Sequence, residues 1–182
     1  MPIDVLCETQ GAAHDVLKGL PDGMLHAATP CTEWDLEALI GHLLTTQALF
    51  FRLATGRAPN GASESDDFVG TFDREAADVL VAVSTNGFDT RVLDLPFGQF
   101  TGEQFIDFVS LETLTHAWDV AKATAQDTDL APRAADHLLV VATRTMGGPS
   151  RGPGRNFQAV RPAPPLATSA DRLAAFLGRS VG

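Results

Sequence analysis

Glu112 and His116 stand four residues apart in a segment, about residues 102–124, whose apolar residues recur at helical spacing. At about 100° per residue, that helix gathers Phe105, Phe108, Val109, Glu112, His116, Asp119 and Ala123 into one sector. Titratable groups therefore interrupt a stripe that should face a core. An ionised carboxylate buried without a partner is costly, so a cationic side chain or a metal ion must compensate. No Lys or Arg falls at an inward position of the other expected helices. His42 does fall in an apolar stretch, between Gly41 and Leu43, on the flank of its helix's stripe. Two imidazoles and a carboxylate from two facing helices make a nitrogen/oxygen donor set suited to zinc, nickel or iron(II). Structural zinc sites usually close with four protein ligands, so three leave a position open to water or substrate. A hydrogen-bonded core histidine and a chance Glu-x-x-x-His spacing produce the same pattern, and spacing alone leaves both readings open.

Neighbouring residues are read with the same two options. Asp119 can orient a ligand imidazole, or pair with Lys122 at a solvated edge. Cys31 precedes a helix N-terminus, where the dipole lowers a thiol pKa; packing in the approach to the helix is the plainer reading. Trp34 and Trp118 lie off the central sectors and seal the helices or wall a pocket. His14, His26 and His137 lack apolar surroundings and helical partners and read as surface residues. The stretch from Arg151 to Arg161 is a flexible loop or an anion-binding lid.

These side chains need helices to hold them. A first helix carries Val5, Leu6, Ala13, Val16, Leu17 and Leu20 and ends at Pro21-Asp22-Gly23. Thr32 and Asp35 form an S/T-x-x-D/E start signal for a second, from about Glu33 to Ala54, with Gly56 as its stop. A polar, mobile loop is expected at residues 57–67, a third helix from about Asp73 to Ser84, and a short extended segment at Val92 to Gly98. The fourth helix is the periodic segment above. Pro132 opens a fifth reaching about Met146. Residues 147–165 are rich in Gly, Pro and Arg and form no regular element. Thr168 or Ser169 caps a last short helix, with Leu173, Phe176 and Leu177 inward. The bundle occupies residues 1–146, and residues 147–182 complete the same domain as loop and short helix.

The 182 residues suffice to bury roughly 70% of the unfolded surface, so neither disulfides nor a structural metal is required for folding. A net charge of −10 without any Lys/Arg cluster argues against nucleic acid and against anionic membrane surfaces. Two isolated cysteines, Cys7 and Cys31, read as reduced thiols. The first ten residues carry Asp4 and Glu8 and do not read as a signal peptide. No apolar run approaches the roughly 20 residues of a membrane span. A cytoplasmic location is expected.

The run Thr29-Pro30-Cys31-Thr32-Glu33-Trp34-Asp35-Leu36, followed by Leu39 and His42-Leu43, resembles the start of the second helix in the DinB-like superfamily. Leu95-Pro96-Phe97-Gly98, Glu112-x-x-x-His116-x-Trp118-Asp119-Val120-Ala121 and the ending from Asp171 to Arg179 are similar to its actinobacterial branch, the proteins related to mycothiol-dependent maleylpyruvate isomerase. The resemblance covers nearly the whole chain. It implies an all-α, DinB-like four-helix bundle with an additional helix and a short C-terminal appendage. It also implies one divalent ion, zinc first and nickel or iron as alternatives, held by His42, Glu112 and His116. The isomerases use an essential arginine from a separate C-terminal domain for which these 182 residues have no room, so isomerase chemistry itself is not expected. What remains implied is a metal that ionises a low-molecular-weight thiol such as mycothiol, in a thiol-dependent transferase or isomerase-like enzyme. The expected partner is a small-molecule thiol or substrate, with a homodimer left open. A non-catalytic metal-binding or interaction module is the alternative, and an iron(II) oxygenase-like use of the triad a more distant one.

Overall fold

A computed structural model describes residues 2–58, 67–146 and 158–181. Residues 59–66 and 147–157 lie outside it, and with them most of the expected polar loop and Arg151 and Arg155 of the expected lid. The described residues form helices α1 (Pro2–Lys18), α2 (Leu36–Thr55) and α3 (Phe68–Val83), then strands β1 (Val92–Leu95) and β2 (Gly98–Thr101). Helices α4 (Gly102–Ala123), α5 (Pro132–Thr145) and α6 (Ser169–Phe176) follow. The chain is predominantly helical, and among the described residues no helix is long and apolar enough to cross a membrane.

Caps explain where helices begin. Asp35, not Thr32, caps α2 by accepting from the Ala38 N–H at 3.0 Å, so the helix starts three residues later than expected. The Thr29 hydroxyl donates to the Cys31 and Trp34 carbonyls and accepts the Cys31 N–H, which holds residues 29–34 in a local turn competing with helix. Asp67 caps the Gly70 N–H at 2.8 Å, which brings the start of α3 forward from Asp73 to Phe68. The extended segment at Val92 is half of an antiparallel hairpin, with Leu95 paired to Gly98 around Pro96-Phe97. Thr101 and Gln104 form a reciprocal capping box on α4. Gly102 is required there, because a Cβ would sit 1.6 Å from the Phe88 carbonyl oxygen.

α1 packs on α3 and α4, and α2 packs on the same pair. α5 and α6 pack on each other, and each also touches α4. α4 is therefore covered on several sides, and the single inward sector expected for it is too narrow: Ile106, Leu111, Leu114, Ala117 and Trp118 are buried as well. One apolar cluster joins Leu17, Leu39, Leu43, Phe72 and Val120, and a second joins Leu6, Phe50, Val79, Phe88 and Phe105. Along α1, α2 and α4 a polar layer separates them. Gln10 donates to the Ala76 carbonyl at 3.0 Å, and Gln47 donates to the Thr113 hydroxyl at 2.9 Å. The three expected metal donors lie near this layer. A third cluster, around Leu114, Trp118, Leu138 and Leu173, fastens α5 and α6 to α4.

Candidate metal centre

α2 presents His42, and α4 presents Glu112 and His116 one turn apart. His116 Nε2 lies 3.5 Å from a Glu112 carboxylate oxygen, and the two imidazoles meet edge-on with centroids 4.7 Å apart. One donor atom from each of the three residues lies within 4.8 Å of the others. The structure thus brings together all three residues singled out by sequence. Trp34 walls the group, its ring 4.4 Å from His42 and 6.0 Å from His116. Trp118 takes the other role: it is buried in the third cluster, and its indole N–H donates to Asp171.

Behind His116 stands a chain of charge. Asp119 is wholly buried, with Oδ2 3.4 Å from His116 Nδ1. Arg179 grips Asp119 with two bonds, Nη2 to Oδ2 at 2.9 Å and Nε to Oδ1 at 3.2 Å. The Cys31 thiol donates to Asp119 Oδ2 at 3.2 Å and lies 3.7 Å from Arg179 Nη2. Asp119 therefore faces His116 and Arg179, not Lys122 or an edge. The inward cation is Arg179, which lies on none of the helices and reaches Asp119 from beyond the last one. Leu177-Gly178-Arg179 signals a turn there but not what Arg179 reaches. Gly178 (φ +96°) ends α6 in a Schellman turn, with Arg179 N–H on the Ala174 carbonyl and Gly178 N–H on the Ala175 carbonyl. That reversal aims residue 179 back at α4.

Burial alone would disfavour a charged His116, but Asp119, Cys31 and Glu112 together hold its pKa well above the usual histidine value. His42 shifts the other way, lowered by burial and by the nearby His116 charge. Burial would raise Asp119, yet His116 and Arg179 keep its pKa below the ordinary value. Glu112, His116, Asp119 and Arg179 thus follow one another as a row of alternating acidic and basic side chains.

Ligands about 2.0–2.2 Å from a tetrahedral ion stand roughly 3.4 Å apart. The His116–Glu112 spacing already matches, whereas His42, within 4.8 Å of both and with its Nε2 3.3 Å from the Thr46 hydroxyl, would have to move closer. Asp119 stands behind the distal ring nitrogen, where a ligand's orienting carboxylate would sit, but at 3.4 Å the two make no hydrogen bond and the buried Nδ1 is left without a partner. The donor set fits a divalent ion.

The other histidines lie at the surface as expected, His26 and His137 exposed and His14 half-buried, and each also meets a carboxylate: His14 lies 2.8 Å from Asp73, His26 3.3 Å from Asp35, and His137 2.8 Å from Asp107. A cleft of about 570 Å³ opens onto Cys31, Trp34, His116, Arg161 and Arg179.

Two proteins of Mycobacterium tuberculosis, the uncharacterized protein Rv0738 of strain H37Rv and the uncharacterized protein MT0763 of strain CDC 1551, are each 36% identical to this chain over 172 residues. The matches cover 94% of this chain and 94% of each relative. No family model matches, and no solved structure matches significantly.

Proposed function

We propose that this chain, which belongs to one family with these two mycobacterial proteins, is a divalent-metal-binding protein of the cytoplasm. One ion, zinc first and nickel or iron as alternatives, is held by His42, Glu112 and His116, with a position open to a small molecule. The observation that carries this reading is the convergence of three donors from two helices, the most buried of them backed by the Asp119–Arg179 pair. The packing of α1 and α2 on both α3 and α4 supports a DinB-like four-helix bundle, with α5 additional and α6 as the appendage.

A bound ion supplies Lewis acidity, which lowers the pKa of a coordinated thiol or water. The chain's own residues do the rest. Asp119 and Arg179 fix the orientation of the His116 ring. Glu112 contributes the one negative donor. Trp34 shields His42 from water. The reaction class this supports is a thiol-dependent transferase or isomerase-like reaction, using a low-molecular-weight thiol such as mycothiol.

Metal analysis after reconstitution tests the reading: about one ion per chain is expected, and none in a variant with Ala at 42, 112 and 116. Equal binding by both proteins would overturn it. A non-catalytic module is the second reading, favoured by the way the alternating charges of Glu112, His116, Asp119 and Arg179 already satisfy one another. In cobalt-loaded protein, an added thiol should change the visible spectrum if the site is open, and should leave it unchanged if the site is structural.

A further inference from the structure

A cavity of about 640 Å³ adjoins Glu112, separate from the cleft lined by Cys31 and Arg179. The hairpin contributes Phe97 and Phe100, α4 contributes Phe108 and Leu111, and α5 contributes Val141. The three Phe rings meet one another at tilted or edge-on angles, with centroids 5.4–5.9 Å apart. Phe97 packs on Phe100 and Phe108 at the hairpin tip yet remains 54% exposed, which leaves ring surface free to meet a guest. The polar lining is Glu112, Gln99, Gln104, Thr145 and Asp107, the last already 2.8 Å from His137, and no Lys or Arg lines the cavity among the described residues.

We propose that this cavity binds the apolar, ring-bearing body of a small molecule whose polar end, neutral or cationic, lies at Glu112. The volume is in the range of small-molecule pockets, about 300–1,000 Å³. Tilted aromatic walls favour an aromatic guest, and Phe faces beside the Glu112 carboxylate favour a cation over an anion. The proposal deepens the metal reading, since Glu112 is one of the three donors, but the ring pocket stands without the ion.

The test uses the full-length, metal-free protein and calorimetric titration with benzylamine, benzyl alcohol and benzoate. Benzylamine should bind about tenfold more tightly than benzoate, with benzyl alcohol between them. Glu112→Gln should narrow that gap. Val141→Trp, which fills the cavity, should abolish binding of all three. Should that variant fail to fold, Phe97→Ala at the exposed tip should weaken benzylamine several-fold. Absence of binding, or binding indifferent to both cavity variants, overturns the proposal. A charge preference unmoved by Glu112→Gln overturns the placement of the polar end. Zinc uptake scored on the same protein reads the other hypothesis separately: ring binding without zinc uptake upholds the cavity and sinks the metal centre alone.

Discussion

His116 has a carboxylate beside each ring nitrogen, Glu112 on one side and buried Asp119 on the other. Asp119→Asn should cut metal affinity about 10–100-fold by freeing the ring. It should also cost roughly 3 kcal/mol, because the Arg179 guanidinium, 18% exposed, loses its partner. Adding Arg179→Met should recover most of the stability and none of the metal affinity. Parallel zinc titration and chemical denaturation check this, and joint recovery would show that Asp119 acts only through the fold. Glu75 makes a different case. Its side chain is 7% exposed, one carboxylate oxygen has no hydrogen bond, and Arg74 is 3.8 Å away. Burial raises its pKa above the ordinary value. A raised carboxylate pKa means that stability is full below the unfolded pKa and falls as pH rises through the folded one. Glu75→Gln should therefore stabilise the protein at pH 7, with the difference vanishing near pH 3. A destabilised variant at neutral pH would assign Glu75 a buried partner. At this scale, the shared face of Glu112 and His116 was legible because helical periodicity converts spacing into direction, whereas His42 fell on a flank and joined them only through the family resemblance. Arg179 and Cys31 were not legible, because they reach Asp119 from outside any helix.

Helix boundaries show the same division between local and long-range causes. The capping box at Thr101 and Gln104 is a four-residue signal, and α4 starts where the sequence places it. Thr32-x-x-Asp35 offers the same signal at α2 and is overridden, because the Thr29 hydroxyl commits residues 29–34 to a turn. The second strand was missed because Gly98–Thr101 is short and merges into the helix cap. The α6 terminus offers the sharpest test. Gly178 has φ +96°, and a Cβ would come within 2.4 Å of the Gln158 Cβ. Gly178→Ala should cost at least about 1 kcal/mol. It should also weaken zinc binding, because the turn it strains delivers Arg179 to Asp119. Thermal unfolding with zinc titration checks both, and a destabilised variant with unchanged zinc affinity would uncouple the tail from the site.

Across the whole molecule, the candidate centre draws on parts of the chain that are far apart in sequence: residue 31 before α2, residue 42 on α2, residues 112–119 on α4 and residue 179 beyond α6. The predominantly helical class is readable from local periodicity. The closing of residue 179 onto residue 119 depends on how α6 docks against α4, which no local pattern encodes. An unfolded chain holds these donors apart, so an ion that they bind together is bound by the native state alone. Native-only binding raises stability by mass action, about 2.7 kcal/mol at a free zinc concentration a hundred times the Kd. For a chain of this size each kcal/mol moves Tm by roughly 2–4 °C, so zinc should raise Tm by roughly 5–11 °C. A chelator should return it to the starting value. The variant with Ala at 42, 112 and 116 should show no zinc-dependent shift. A shift retained in that variant would place the stabilising ion elsewhere in the fold, and no shift in the native chain would leave the alternating charges around His116 as a structural network that requires no metal.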